Sequence, residues 1–114
     1  MINLKETRPQ QVVQNLRGGK GDIIRHDIFT PEDMLGKAEW FITLTLPAGA
    51  SIGEHPHGPD AEIYYILSGK LRVTDDGVTK DLTVGDAVFT GADKKHSVEN
   101  LSSEDAVLLA VKLP

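Results

Sequence analysis

From residue 22 onward the chain consists of short runs of β-branched, aromatic and aliphatic residues broken by turn formers. DIIRHDIF (22–29) and EWFITLTL (39–46) alternate and are rich in strand-forming side chains, so each predicts a strand. EIYYILS (62–68) is apolar on both alternating faces, with Tyr64 and Ile66 on one and Ile63, Tyr65 and Leu67 on the other. That pattern predicts a strand buried on both sides. KLRVT and VTKDLTV flank Asp76-Gly77, a dipeptide that favours a tight hairpin turn. DAVFT (86–90), HSVEN (96–100) and DAVLLAVKL (105–113) complete the set. Many short strands with turn signals at regular intervals predict a sandwich or small barrel, and the strand–helix alternation of a parallel sheet is absent.

Ahead of these strands the pattern is weaker. Residues 1–21 are polar and end in GGKG, which predicts a short arm or edge strand and then a flexible turn. GGKG lacks the glycine spacing and following Ser/Thr of a phosphate loop. TPEDMLGK (30–37) carries the signals of one short helix: Thr30 as cap, Pro31 at the first helical position, Glu32 and Asp33 at the positive end of the dipole, and Gly36 as stop. The expected organisation is therefore an N-terminal arm, edge strand and short helix over 1–38, packed on a β domain over 39–114.

Composition narrows the functional classes. The chain has 114 residues, one domain's worth, and can bury a core without staples. Twelve Lys plus Arg against seventeen Asp plus Glu give a net charge of −5. With no basic run, that balance argues against nucleic acid and anionic membrane surfaces as partners. No apolar stretch approaches a membrane span, and MINLKETRPQQ lacks the apolar core of a secretory signal, so a cytoplasmic protein is expected. There is no cysteine, so any transition-metal site must be built from His, Asp and Glu.

GEHPHGPDAE (53–62) holds two of the four histidines. In an extended chain, residues i and i+2 face the same side, about 6.6–7 Å apart. His55 and His57 can therefore lean onto one ion. Pro56 biases His55 toward extended backbone and cannot donate to a sheet ladder, which places the pair near a sheet margin. Gly58-Pro59-Asp60 turns the chain, and Glu62 opens the next strand at the same end of the fold. His96 follows the loop GADKK. Three imidazoles and a carboxylate suit manganese, iron, nickel, copper or zinc. An ordinary polar loop with an unrelated His96 is the alternative at this point. His26, alone on its strand, reads as a packing or hydrogen-bonding residue, and Lys94 and Lys95 as a solvated rim.

The spacing Gly49, five residues, His55, one, His57, four, Glu62, six, Gly69 resembles the first motif of the cupin superfamily at every defining position. The second motif runs Gly, five residues, Pro, one, Gly, two, His, three, Asn. Gly85, His96 and Asn100 match it in register, while Gly91 and Asp93 stand at the Pro and Gly positions. The resemblance spans residues 40–112. It implies an all-β, double-stranded β-helix, the jelly-roll barrel, with one divalent transition metal (Mn, Fe, Ni or Zn) at one end of its interior. The implied ligands are His55, His57, Glu62 and His96. Asp93 would have to accept the family glycine's backbone angles, and Asp tolerates left-handed geometry better than most residues. Pairing as a homodimer is implied as well, covering the outer faces of strands 62–68 and 105–113.

Residues sharing a face with the ligands are expected to line the pocket: Tyr64 with Glu62, and Val98 with His96. Tyr64 is the candidate catalytic residue, as donor of a hydrogen bond or proton. On strand 40–46 either Trp40, Ile42 and Leu44 or Phe41, Thr43 and Thr45 face inward. The expected function is a metal-dependent enzyme on a small oxygenated acid or sugar derivative, of the oxidase, dioxygenase or decarboxylase type. The alternatives are a non-catalytic binding protein for a sugar or acid and a metal-dependent isomerase or lyase, since one barrel serves many chemistries.

Overall fold

Ten strands form, nearly all where apolar alternation is densest. They are β1 (Gln10–Gln14), β2 (Asp22–Phe29), β3 (Trp40–Leu46), β4 (Ser51–Pro56), β5 (Ala61–Ser68), β6 (Leu71–Asp75), β7 (Val78–Leu82), β8 (Ala87–Thr90), β9 (Lys95–Glu99) and β10 (Ala106–Leu113). This is a computed structural model describing residues Met1–Pro114. The strands make a six-stranded sheet, β1-β2-β3-β10-β5-β8, and a four-stranded sheet, β4-β9-β6-β7. Every pairing is antiparallel. The two sheets pack on a shared core as the jelly-roll barrel that the motif resemblance implied. No helix is long and apolar enough to cross a membrane.

Strand periodicity decides what lies between the sheets. On β3, Ile42, Leu44 and Leu46 are buried, which resolves the inward face in favour of the Trp40 set. They meet Tyr64 and Ile66 of β5, Leu108 and Ala110 of β10, and Ile52, Leu71, Val73 and Val98 from the smaller sheet. Burying each of the large aliphatic side chains stabilises the fold by about 1.5–3 kcal/mol. Asn100 is the buried polar clasp beyond β9: its amide donates to the Leu46 carbonyl at 2.8 Å and the Glu104 carbonyl at 2.7 Å. Asp76, at φ 48°, and Gly77, at φ 82°, make the expected tight turn between β6 and β7. The N-terminal edge strand forms as β1, and β2 carries Ile23 into the core.

Two expectations are corrected. Within one chain, strand 62–68 is buried on one side only: Tyr65 and Leu67 are each 42% exposed, because their face of the large sheet looks outward. The short helix at 30–37 does not form. Its cap does, since the Thr30 N–H donates to the Asp33 carboxylate at 3.0 Å and the Asp33 N–H to the Thr30 hydroxyl at 3.1 Å. One turn later Leu35 swings to φ 55° and the segment becomes a series of turns. So short a helix needs an apolar face to pack, and Leu35 is solvent-exposed with only Met34 partly buried. The helical content is confined to two short 3-10 turns, Lys5–Thr7 and Leu16–Gly18.

Candidate metal centre

His55 of β4 and His96 of β9 are direct cross-strand partners in the smaller sheet. His57 lies just past the end of β4, where its N–H donates to the Lys94 carbonyl at 2.9 Å. Glu62 comes from β5 in the opposite sheet. All four are buried inside the barrel. The Nε2 atom of His96 is 2.9 Å from that of His55 and 3.0 Å from that of His57. Glu62 Oε1 lies 3.1 Å from His96 Nε2 and 3.3 Å from His57 Nε2. The rings of the three histidines meet edge to face, at interplanar angles of 62° to 87°. Their lone pairs thus approach one point from separate directions.

The outer nitrogen of each ring is already engaged. His55 Nδ1 donates to the Gly53 carbonyl at 2.8 Å, and His57 Nδ1 to the Asp60 carboxylate at 2.8 Å. Thr90 gives its hydroxyl proton to Asp75 at 2.6 Å, so its oxygen accepts from His96 Nδ1 at 2.8 Å. With every Nδ1 protonated, every Nε2 is a lone pair. Glu62 is oriented likewise, its Oε2 accepting from the Trp40 indole at 2.9 Å. Four acceptors therefore converge, and a shared cation satisfies all of them. Two ligands at right angles and about 2.1 Å from an ion stand about 3.0 Å apart, which matches the observed edges. The group suits a single metal ion, and its outer hydrogen bonds are those that fix metal-binding imidazoles.

Electrostatics prepare the same state. Burial lowers the His55 pKa below 6.5, favouring the neutral ring. Burial pushes the Glu62 carboxyl up, while the Trp40 indole donating to its Oε2 favours the ionised form. The His57 hydrogen bond, with help from Lys112, holds Asp60 at about 2. Tyr64 is fully buried, stacked on His96 with ring centroids 4.7 Å apart, its hydroxyl 3.3 Å from His96 Nε2. Burial and the Glu62 charge raise its pKa well above 10, so it stays a neutral phenol.

A cavity of about 300 Å³ opens beside the four residues. Tyr64 lines it with Trp40 and Ile42, whereas Val98 is sealed in the core away from it. Arg17 and Arg25 also face the cavity. Sequence reasoning missed both, along with the orienting roles of Asp60, Asp75, Thr90 and Trp40. Asp60, two residues before Glu62 in the turn after the histidine pair, was the one legible signal. His26 lies elsewhere, in a groove on the outer face with Lys5 and Arg8. Lys94 pairs with Asp76 at the surface at 3.3 Å. Asp93 does adopt left-handed backbone, at φ 63°, and its N–H donates to the His57 carbonyl at 2.8 Å, which ties the loop before His96 to the histidine pair.

Comparison with known proteins agrees with this geometry. The family model described as a cupin domain matches residues 42–112. The "Oxalate-binding protein" of Thermotoga maritima is 37% identical over 111 residues, covering 97% of this chain and 91% of that protein. A crystal structure of a predicted oxalate decarboxylase from Thermotoga maritima superposes with a TM-score of 0.96 at 35% identity, over 99% of this chain and 98% of that one. KdgF from a Halomonas species shares the fold, with a TM-score of 0.82 at 20% identity, over 100% and 93% of the two chains. A matched family model over most of the barrel, and a relative aligned along nearly the whole sequence, lead to one conclusion: this chain belongs to the cupin domain family.

Proposed function

We propose that His55, His57, Glu62 and His96 hold one divalent transition ion, and that the cavity beside it binds a small chelating acid of the oxalate kind. The observation that carries this reading is the convergence of three imidazole lone pairs and a carboxylate with no proton donor sufficient to satisfy them. The four side chains would hold the ion at the cavity wall, where a small acid could reach it. When bound, the ion supplies a Lewis acid on which two acid oxygens can sit. The cavity has room for a small acid, and Trp40, Ile42 and Leu44 keep it partly dry. The relative named for oxalate binding supports the same ligand class.

Binding is the primary reading, because the cavity offers no acid poised to deliver a proton near neutral pH. Glu62 belongs to the ligand set, and Tyr64 is held far from that range. Decarboxylation is the second reading, favoured by the Tyr64 hydroxyl standing inside the site at 3.3 Å from His96. Calorimetric titration of oxalate into metal-loaded and metal-stripped protein tests the proposal. Saturable binding that requires the metal is expected. Binding to neither form, or equal binding to both, overturns it. Formate and carbon dioxide release from the same mixtures decides between binding and catalysis.

A second copy of the chain is proposed to cover the outer face of the large sheet. There Tyr65 and Leu67 are half exposed and Phe89 is 60% exposed, beside Val107, Leu109 and Val111 of β10. Sedimentation equilibrium should give twice the chain mass, and Tyr65→Glu should return it to the monomer. A monomeric wild type counts against the pairing.

A further inference from the structure

Arg17 is the one arginine at the cavity with no counter-charge. Arg25, its neighbour there, is paired to Asp27 at 2.6 Å and lies over the Trp40 ring. The Arg17 guanidinium makes no ion pair or side-chain hydrogen bond, in a protein of net charge −5. Its position is built rather than incidental. The loop Asn15–Gly21 runs across β4 so closely that a Cβ on Gly19 would stand 2.0 Å from the Ser51 carbonyl oxygen. A Cβ on Gly53 would stand 2.0 Å from the Arg17 carbonyl oxygen. Only glycine fits at either place, which gives the GGKG segment a docking role in place of the flexible turn expected from its composition. The Ser51 N–H donates to the Lys20 carbonyl and the Lys20 N–H to the Ser51 hydroxyl, each at 2.9 Å. Arg17 itself sits at φ 54°, ψ 33°, left-handed backbone that an arginine seldom adopts. The N-terminal loop is thus strapped to the strand that carries His55, and the strap presents a free cation to the cavity.

We propose that Arg17 is the residue that selects a dicarboxylate: it receives the outward-facing oxygens of an acid whose other oxygens face the four-residue centre. A planar guanidinium offers paired N–H donors that match a carboxylate, and a charged hydrogen bond is stronger where water is partly excluded. A hydroxy acid with one carboxylate turns only a single oxygen outward and gains less from Arg17.

This inference rests on the metal-anchored reading above, and the test separates the two. Oxalate and glycolate share a chelating head, but glycolate lacks the second carboxylate. Both are titrated into manganese-loaded wild type, Arg17→Gln and Arg17→Lys, with metal content and unfolding temperature measured on each. Arg17 is exposed and unpaired, so both variants should fold and load metal as the wild type does. Oxalate should bind Arg17→Gln roughly tenfold or more weakly, with Arg17→Lys intermediate and glycolate changed less than about twofold. Equal oxalate affinity in wild type and Arg17→Gln overturns the role of Arg17 while leaving the metal reading intact. A parallel loss for both acids also overturns it, because selection then lies elsewhere. Failure of the metal-loaded wild type to bind either acid overturns the metal-anchored reading, and this inference falls with it.

Discussion

The Nε2 atoms of His55 and His96 stand 2.9 Å apart although 41 residues separate them in the chain. Two neutral imidazole lone pairs at that distance repel. The protein holds them there through the Gly53 carbonyl on one ring and the Thr90–Asp75 relay on the other. A cation bound between them would turn that repulsion into binding energy, and its affinity would follow from how firmly each ring is held.

Removing one imidazole should empty the centre. His57→Ala leaves His96 and Glu62 with one fewer neighbour near 3 Å and releases Asp60 from its hydrogen bond. Wild type loaded with manganese, iron or zinc should carry about one ion per chain by elemental analysis, and the variant close to none. Equal metal content in both proteins would defeat the assignment.

The orienting partners should matter almost as much. Asp60→Asn removes the charge that fixes His57, and Thr90→Val leaves His96 Nδ1 and Asp75 without their shared hydroxyl. Each should weaken metal affinity by about 10- to 100-fold. Thr90→Val should also cost about 1–3 kcal/mol in stability, the usual penalty for an unsatisfied buried polar group. Competition with a fluorescent chelator measures the first effect and urea unfolding the second. Unchanged affinity in both variants would mean that the rings are placed by packing alone.

Acid should release the metal. Burial puts the His55 pKa below its unfolded value of 6.5, so above pH 6.5 the ring is neutral in both states and adds no pH dependence. Below pH 6.5 the unfolded chain takes up a proton that the folded site refuses. Metal-free protein should therefore lose stability as pH falls from 6.5 through the folded value. In the loaded protein, protons compete for all three rings, and the ion should leave below about pH 6. Asp60, depressed to about 2 by His57, contributes stability above its ordinary 3.8 that disappears only as pH drops from there toward 2. Ion content after dialysis across pH 8 to 4 reads the outcome. Full retention at pH 4 would argue against histidine ligation.

Gly53→Ala should lift the strap from β4, because the new methyl would meet the Arg17 carbonyl oxygen at 2.0 Å. A stability loss of about 1–3 kcal/mol is expected, as for other overpacked sites. Faster amide exchange should appear over residues 15–21. Unaltered exchange there would show that the loop docks by some other contact.

Much of the barrel was legible because strand chemistry is local. The apolar alternation of 40–46, 62–68 and 105–113, with a turn signal at Asp76-Gly77, marks the strands before any contact is known. The His55/His57 pair was equally legible, since two residues apart on an extended chain must share a face. The predicted helix at 30–37 failed for the opposite reason: its cap is local and formed, but propagation needed a packing surface that Leu35 does not have. Strand 62–68 looked buried on both faces because sequence records that a side chain is apolar, not which side of a sheet meets solvent.

Strand content, the candidate metal-binding side chains and the pairing of His55 with His57 are readable along the chain, because backbone periodicity and side-chain chemistry act over a few residues. Folding brings His96 and Glu62 together from opposite sheets, sets Thr90 and Asp75 beside the His96 ring, and turns Arg17 toward the same cavity. Those relations span up to 41 residues between members of the four-residue centre itself. They depend on sheet register and on the close approach of Gly19 and Gly53, quantities that the folded backbone fixes and no local pattern encodes.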